Sequence, residues 1–482
     1  MEVFLFILRM LAVIVVFLLA IILIRTFLFR PKKKPYTVHK KVSFDKDAPV
    51  RSLQALVRCK TVSNRDPALE DDAEFEKLIN LLPTLFPLVH KTCTLTRMDG
   101  RALLYLWEGK AHDAPTVLMS HYDVVPADED KWKKPPYEGI LEDGVLWGRG
   151  TLDTKVTMNA ALSAAEHLIS KKFVPAQDIY FAFSGGEEIN GRGALNIVEW
   201  FERRGITPDL VLDEGGAVVQ GVFPGVSAPC GMIGIAEKGM MDVELSVRSN
   251  GGHSSAPKPH TPVGLLSCAC CRMENHPFPT HLTKPVAEMF DTLGRHSNFL
   301  YRMIFANLWA FGDVLDIMCK TRGGELNALM RTTVAFTQME GSPVSNVIPP
   351  EAKMVANIRL NPEDTIEDAL DTIRATIKND NISVRSLRGT NPSRISETGC
   401  AAWQKVVSSV EGTWEGALVT PYLMVQCSDS RHWGRISDRV YRFSAMDLTT
   451  EERATIHGHD ERIRVETLLR SVEFYIRLMK QC

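Results

Sequence analysis

Four segments of this sequence place histidine or carboxylate side chains directly after apolar or glycine-rich runs. In chain order these side chains are His121, Asp153, the neighbours Glu187 and Glu188, and Asp213. Histidine and carboxylate groups, arranged so that one position stays open for water, are the donors of hydrolytic zinc sites. A single acid of this kind would fit a helix cap or a solvated turn equally well. Four such segments in one chain instead indicate a metal centre.

The elements around these segments predict an edge at which the side chains meet. Residues 114–120, 179–184 and 210–213 are predicted strands, and residues 157–171 and 194–204 are predicted helices. Such alternation is typical of a sheet covered by helices, in which sites form beyond the carboxyl ends of the strands. Acids gathered at one edge repel one another unless cations neutralise them. The sequence therefore predicts that cations bind at this edge.

The region from residue 239 to 392 has a different pattern. Its predicted elements follow the order β-α-β-β-α-β, which is the ferredoxin-like signature. We therefore predict an α/β fold with a sheet-and-helix catalytic domain, residues 48–238 and 393–482, and an inserted ferredoxin-like α+β domain, residues 239–392. The inserted domain carries an apolar excess, residues 281–322. This excess forms either helices packed on the domain or an apolar wall for a substrate tail, and both alternatives stay open.

The first 30 residues predict a single transmembrane anchor. Residues 10–24 are uninterrupted apolar sequence, and with residues 25–29 the run reaches the ~20 residues that cross a bilayer. A cleaved signal peptide is disfavoured, because residues 21–25 contain none of the small residues that precede a cleavage point. Residues 31–47 are predicted to be a basic tether.

Two signals disagree on the side of the membrane. Basic residues after the span favour a cytosolic catalytic part, whereas the glycosylation acceptor at Asn381 matters only in the secretory pathway. We take a luminal or extracellular catalytic part of a single-pass protein as the working prediction and leave the orientation open.

Composition and missing motifs exclude several classes of protein. The net charge is −2, and no domain is basic, so nucleic acid is not an expected partner. The sequence has no G-x-S-x-G, the nucleophile motif of one large class of serine hydrolases. Residues 148–150 run into an acid and not into the third glycine of a dinucleotide site. The ten cysteines lack paired spacing and do not define a redox compartment.

Several motifs together resemble one enzyme family. They lie at residues 121–126, 147–153, 186–188, 213–216, 252–257, 346–350 and 457–458. They are similar to those of the di-zinc peptidases that include aminoacylase, bacterial glutamate carboxypeptidase and vacuolar carboxypeptidase S. The nearest likeness is to the branch of N-fatty-acyl-amino-acid synthase/hydrolases, and it covers nearly the whole chain beyond the tether.

The resemblance implies two Zn²⁺ ions and a role for each motif residue. Asp153 would bridge the metals, with His121 and Asp213 completing one site and Glu188 and His457 the other. Glu187 would be the general base, although spacing alone cannot distinguish it from Glu188. Asp123 would orient the His121 imidazole.

Further roles concern the substrate. The resemblance implies that His253 steadies the oxyanion, and the residues expected to contact substrate are Asn346, Arg359, Asp429 and Arg431. Arginine suits this role because its planar fork binds a carboxylate in bidentate fashion. The chain departs from the family pattern at Thr154, where Asp or Asn is usual, and at Cys427 and Ser428, where Asn and Thr are usual.

These observations predict a zinc-dependent hydrolase of an amide bond next to a free carboxylate. The favoured substrates are N-fatty-acyl amino acids, with the reverse condensation as a further activity. A membrane-anchored carboxypeptidase on short peptides is the near alternative, and an inactive binding protein with a peptidase fold is the remote one. The inserted domain is expected either to pair subunits in a homodimer or to act as a lid.

Overall fold

The computed structural model describes residues 1–32, 40–221 and 223–482, so that part of the predicted tether, residues 33–39, lies outside the described residues. The helices are α1 (Glu2–Leu28), α2 (Asp47–Val57), α3 (Asp72–Leu85), α4 (Pro87–Thr92), α5 (Lys155–Ser170), α6 (Gly193–Arg204), α7 (Pro262–Asn275), α8 (Lys284–His296), α9 (Phe299–Ala306), α10 (Leu308–Arg322), α11 (Gly324–Met330), α12 (Ile366–Ile377), α13 (Ala401–Thr413), α14 (Thr450–Arg453) and α15 (Val465–Met479). The strands are β1 (Thr94–Met98), β2 (Ala102–Trp107), β3 (Ala111–His121), β4 (Ile140–Glu142), β5 (Val145–Trp147), β6 (Gln177–Ser184), β7 (Leu210–Val219), β8 (Cys230–Glu237), β9 (Gly239–Arg248), β10 (Gly252–His253), β11 (Thr333–Glu340), β12 (Val347–Ile348), β13 (Glu351–Leu360), β14 (Ser383–Thr390), β15 (Leu418–Met424), β16 (Val440–Leu448) and β17 (Arg462–Arg464).

The largest sheet in the described part of the chain has eight strands in the order β1-β2-β6-β3-β7-β16-β8-β15. Strand β3 is parallel to both β6 and β7, so the carboxyl ends of these three strands lie at the same edge. Leu118 on β3 packs in the hydrophobic layer of α5 and α15, while Val117 and Met119 pack in that of α6. Successive side chains of a strand point to opposite faces, so the apolar run is buried on both. The predicted sheet-and-helix fold is confirmed.

The second sheet is antiparallel, with four strands among the described residues in the order β11-β13-β9-β14. Burial alternates along β13, which is typical of a strand with one covered face. Helices α7 and α12 cover that face, with Leu266, Ile358 and Ile373 in its core. The two sheets are joined where β8 ends and β9 begins, at Lys238. This strand order agrees with the predicted β-α-β-β-α-β unit.

The apolar excess of residues 281–322 forms helices α8, α9 and α10, followed by α11. Helix α8 packs against β15 at the edge of the eight-stranded sheet. Within the described residues, α9 packs mainly on α8 and α1, and α10 packs on α9 and α11. The main partners of these helices therefore lie outside the second sheet, unlike in the alternative in which they pack on the inserted domain.

Helix α1 is, among the described residues, the one helix long and apolar enough to cross a membrane. Its most apolar stretch is exposed along its whole length. Its last turns contact α9, and the side chain of Thr26 is fully buried there.

Candidate metal centre

His121 is the last residue of β3 and is almost fully buried. Its Nδ1 donates to the backbone oxygen of Asp123 at 3.0 Å, so Nε2 is left as the atom that faces the site. That Nε2 lies 2.9 Å from Oδ1 of Asp153 and 3.3 Å from Oε1 of Glu214. The hydrogen bond of Nδ1 thus holds the imidazole in an orientation in which Nε2 is free to bind a metal.

His457 approaches the other oxygen of the same carboxylate. Its Nε2 lies 3.0 Å from Oδ2 of Asp153 and 3.2 Å from the carboxylate oxygens of Glu188. Asp153 therefore presents one oxygen to each histidine. This is the arrangement by which one carboxylate can bridge two cations.

Asp123 organises the turn that carries the two glutamates. Its carboxylate accepts hydrogen bonds from the backbone N–H of Glu187 at 3.1 Å and of Glu188 at 3.2 Å, and from the hydroxyl of Ser63 at 2.7 Å. The Asp123 side chain is completely buried. Asp123 thus contacts His121 through its backbone oxygen and the glutamate turn through its carboxylate, and its orienting role stays a prediction.

A buried ion pair, which the sequence did not indicate, holds the loop before Asp153. Glu461 accepts hydrogen bonds from Arg149 Nη1 at 2.7 Å and from the backbone N–H of Leu152 at 2.7 Å and of Asp153 at 3.2 Å. Arg149 also donates to the backbone oxygen of Gly458 at 2.9 Å. The pair therefore ties the Asp153 loop to the loop of His457. The peptide bond between Asp153 and Thr154 is cis.

Asp213 and its neighbour Glu214 point to different partners. Asp213 Oδ2 accepts a hydrogen bond from the backbone N–H of Ser430 at 2.9 Å, whereas Glu214 faces His121. Neighbouring side chains on a strand point in opposite directions, so only one of the two acids can face the metal side. The geometry thus offers Glu214 as a candidate ligand that sequence reasoning missed. The ligand role of Asp213 stays a prediction.

Burial and mutual repulsion raise the pKa values of several of these acids. Burial raises the pKa of the Glu187 carboxyl well above its ordinary value, and Asp429 and Glu214 raise it further against the opposing effect of His121. Burial likewise raises the pKa of Asp213, to about 8, and that of Glu214. Hydrogen bonds to Asp153 and Glu188 raise the pKa of His457 to about 10.

These side chains are suited to a metal site. Ligand atoms of His121, Glu187 and Glu214 lie within 4.8 Å of one another, and so do those of His121, Asp153 and Glu188. Buried carboxylates this close repel one another, and divalent cations would relieve that repulsion. The donor set of histidine and carboxylate suits zinc and related metals.

Three predicted substrate residues lie beside this cluster or its turns. Asp429 is buried and accepts a hydrogen bond from Ser184 Oγ at 2.5 Å, at the end of β6. Arg359 on β13 reaches from the second sheet to Cys427, with Nη1 3.5 Å from Sγ. Arg431 donates to Oδ1 of Asn190 at 3.0 Å, just beyond the glutamate turn.

The other two predicted residues lie elsewhere. His253 is exposed on the short strand β10, and its Nδ1 accepts a hydrogen bond from Ser255 N–H at 3.1 Å. Asn346 is also exposed and accepts from Ser254 N–H at 3.1 Å through its backbone oxygen. In the described parts of the chain, neither side chain has a hydrogen bond or ion pair with the acid and histidine cluster. Their catalytic roles stay predictions.

A cavity of about 890 Å³ opens from the cluster. Asp153, Glu187, Glu188, Glu214 and His457 form its polar end. Apolar side chains line the rest, and they include Phe223, Met289, Leu326, Leu329, Tyr422 and Met424. Met289 on α8 belongs to the apolar excess, and the two leucines lie on α11, which follows it, so both helices contribute to a wall of the cavity.

Comparison with known proteins shows similarity to a family of peptidases. Residues 117–481 match the model of the peptidase family M20/M25/M40. The chain is 35% identical to a probable carboxypeptidase S-like protein of Dictyostelium discoideum, over 85% of this chain and 80% of that protein. It is 32% identical to an N-fatty-acyl-amino acid synthase/hydrolase of Xenopus tropicalis, over 96% of this chain and 93% of that protein. The fold matches that of an M20 family metallo-carboxypeptidase from Sulfolobus solfataricus, with a TM-score of 0.65, 17% identity and coverage of 90% and 98%.

Proposed function

Because the chain belongs to the peptidase family M20/M25/M40, we propose that this enzyme hydrolyses the amide bond of N-fatty-acyl amino acids and also catalyses the reverse condensation. The observation that carries the proposal is the apolar cavity that runs from the acid and histidine cluster to helices α8 and α11. Its volume of about 890 Å³ lies in the range of small-molecule sites. The similar protein of Xenopus tropicalis, which has this activity in its name, supports the same substrate class.

The polar end of the cavity supplies the groups for amide hydrolysis. We assign two zinc ions to the cluster, with Asp153 between them, His121 and Asp213 or Glu214 on one side, and Glu188 and His457 on the other. When bound, such ions acidify a water molecule and polarise a carbonyl oxygen.

Glu187 is the general base of this proposal. Its carboxylate takes the proton from the attacking water and returns it to the leaving nitrogen of the amino acid. Burial raises the pKa of the Glu187 carboxyl above its ordinary value, and a higher pKa makes the carboxylate a stronger base toward the water proton. His253 is assigned to the oxyanion, and this requires that the second sheet or a second subunit bring it to the cavity.

Arg359 is assigned to the free carboxylate of the substrate. Its guanidinium contacts Cys427, which lines the cavity, and comes from the second sheet. Asp429, Arg431 and Asn346 complete the assigned contacts to substrate. The second sheet acts in this proposal as a lid, with pairing of subunits as the alternative.

The membrane is the proposed location. Helix α1 has the length and composition of a membrane span, and an anchored enzyme meets fatty substrates where they accumulate. We assign the catalytic part to the lumen or the extracellular side, as the acceptor triplet at Asn381 favours.

Carboxypeptidase action on short peptides is the second candidate function. The 35% identity to a probable carboxypeptidase S-like protein favours it. Both reactions would use the same cluster and a substrate with a free carboxylate. The two candidate functions therefore differ only in the part of the substrate on the other side of the amide bond.

The test compares N-oleoyl-phenylalanine with a dipeptide, with and without a chelator. We expect chelator-sensitive release of phenylalanine from the oleoyl substrate and slower cleavage of the dipeptide. Ala328→Leu, which adds bulk to the cavity wall, should slow hydrolysis of N-oleoyl-phenylalanine more than that of N-acetyl-phenylalanine. Ala401→Leu, an exposed position, is the matched control. Turnover that survives metal removal would contradict the mechanism, and a preference for the dipeptide would favour the second candidate.

A further inference from the structure

Helix α9 lies between the proposed membrane span and the wall of the cavity. On one side, the Phe27 ring of α1 is 5.7 Å from that of Phe299 at the start of α9. On the other side, the ring of Phe305 is 4.8 Å from that of Phe223, a cavity residue. Ser297, just before α9, donates to the backbone oxygen of Pro224, also in the cavity wall, at 3.1 Å. A single helix thus separates α1 from the cavity.

The contacts between α1 and α9 fix the depth of α9 in a bilayer. Asn307, at the end of α9, donates to the backbone oxygen of Ile22 at 3.2 Å, and Arg25 donates to the backbone oxygen of Ala306 at 3.1 Å. Any span of about 20 residues that contains residues 10–24 includes Ile22, at least two residues from its end. At 1.5 Å per residue, Ile22 then lies about 3 Å or more inside the hydrocarbon boundary. The junction of α9 and α10 must reach the same level.

Helices α9 and α10, on either side of this junction, carry exposed apolar side chains, which we call the apolar patch. Its members are Phe299, Leu300, Trp309, Val314 and Ile317, each about half exposed or more. Soluble proteins rarely leave such clusters in water, and tryptophan and phenylalanine are typical of membrane interfaces.

Charged groups set the limits of the patch. Asp313 is exposed one turn from both Trp309 and Ile317, and a carboxylate is costly in hydrocarbon, so this face belongs at the boundary and not in the bilayer centre. Arg295 stacks 4.3 Å over the Phe29 ring and donates to the backbone oxygen of Arg30 at 3.2 Å, where α1 has ended. Such basic groups suit the level of lipid phosphates.

We propose that this apolar patch on α9 and α10 is immersed in the bilayer interface beside α1, so that the acyl tail of the substrate enters the cavity from the lipid. The proposal rests on the membrane span and the substrate class proposed above. It adds a second lipid-contacting surface that belongs to the catalytic body itself, and it accounts for the position of the apolar excess between membrane and metal centre.

The first test measures the depth of Trp309 in the full chain reconstituted in nanodiscs. The fluorescence difference between the wild type and Trp309→Phe should be quenched by at least half in lipids with brominated acyl chains. Trp200→Phe is the matched control, because α6 packs at the β1–β2 edge of the sheet, opposite the β15 edge that holds α8. An unquenched Trp309 signal in a chain that resists alkaline extraction overturns this proposal alone. A chain that alkaline carbonate extracts from membranes overturns both the span and the patch.

The second test measures turnover in the same nanodiscs. Val314→Ser with Ile317→Ser should lower hydrolysis of N-oleoyl-phenylalanine about tenfold, because each change removes apolar contact with lipid. Hydrolysis of N-acetyl-phenylalanine, which is dissolved in water, should stay unchanged. Val344, between β11 and β12, and Leu387, on β14, are exposed elsewhere, and the pair Val344→Ser and Leu387→Ser is the control. Equal effects of both pairs, or equal loss on both substrates, would overturn entry from the lipid. Absence of hydrolysis in the wild type would refute the proposed function, and with it the entry route, while the quenching result still decides the immersion of the patch.

Discussion

Replacing Glu214 by glutamine is expected to weaken zinc binding far more than replacing Asp213 by asparagine. Glu214 faces His121 Nε2 at 3.3 Å, whereas Asp213 accepts a hydrogen bond from Ser430 on the other side of the strand. Four-ligand zinc sites bind with apparent free energies of about 10–16 kcal/mol, which is about 2.5–4 kcal/mol per ligand. One lost ligand therefore costs on the order of 10² to 10³ in affinity.

Glutamine keeps one amide oxygen, so we expect a loss near the lower end of that range, on the order of 10². Asp213→Asn keeps an oxygen for the N–H of Ser430, so its effect on affinity should stay near the lower end of the 10- to 100-fold range for residues that support ligands, at about tenfold. Competition with a chromophoric chelator measures the affinity, and elemental analysis of the dialysed protein measures how many ions remain. A larger loss in Asp213→Asn than in Glu214→Gln would refute the reasoning from side-chain direction and support the assignment made from sequence motifs.

Four further outcomes are expected. Glu187→Gln should lower kcat by about 10² to 10⁴ with the zinc content unchanged, because general acid–base catalysis contributes that much; wild-type turnover would contradict its role. Glu461→Gln should lower stability by about 3 kcal/mol, since it leaves the buried Arg149 without its counter-charge; thermal unfolding measures this, and the exposed Glu466→Gln should change little. Arg359→Lys should raise KM about 10- to 100-fold for a substrate with a free carboxylate but not for its methyl ester, because lysine lacks the bidentate fork; equal effects on both would remove Arg359 from the carboxylate site. A luminal catalytic part should gain a glycan in microsomes that Asn381→Gln abolishes, whereas an unglycosylated wild type with a protease-accessible catalytic part would place it in the cytosol.

Several features of this protein could be predicted from sequence because they depend on local patterns. The strand ending at His121 is recognisable from its apolar run, and parallel strands bring their carboxyl ends to one edge whatever the rest of the chain does. The gathering of Asp153 and Glu188 near His121 follows from this rule together with the motifs. The β-α-β-β-α-β order of the elements predicted for residues 239–392 likewise indicated the second sheet.

These local patterns could not predict the direction in which a single side chain points. Asp213 and Glu214 are adjacent, and only the twist and register of β7 decide which of them faces His121. The pairing of Arg149 with Glu461 joins residues 312 positions apart and leaves no periodic signal. Such contacts arise only when distant loops pack together.

The apolar excess shows the same division on a larger scale. Its composition by itself determined that residues 281–322 form helices or a hydrophobic wall, because such sequence must be buried or meet another apolar surface. Tertiary structure alone decided which surface: α8 packs on β15 and lines the cavity through Met289, and α9 contacts the end of α1. Burial of apolar area has no direction of its own, so the partner of each helix is chosen by the shape of the whole fold.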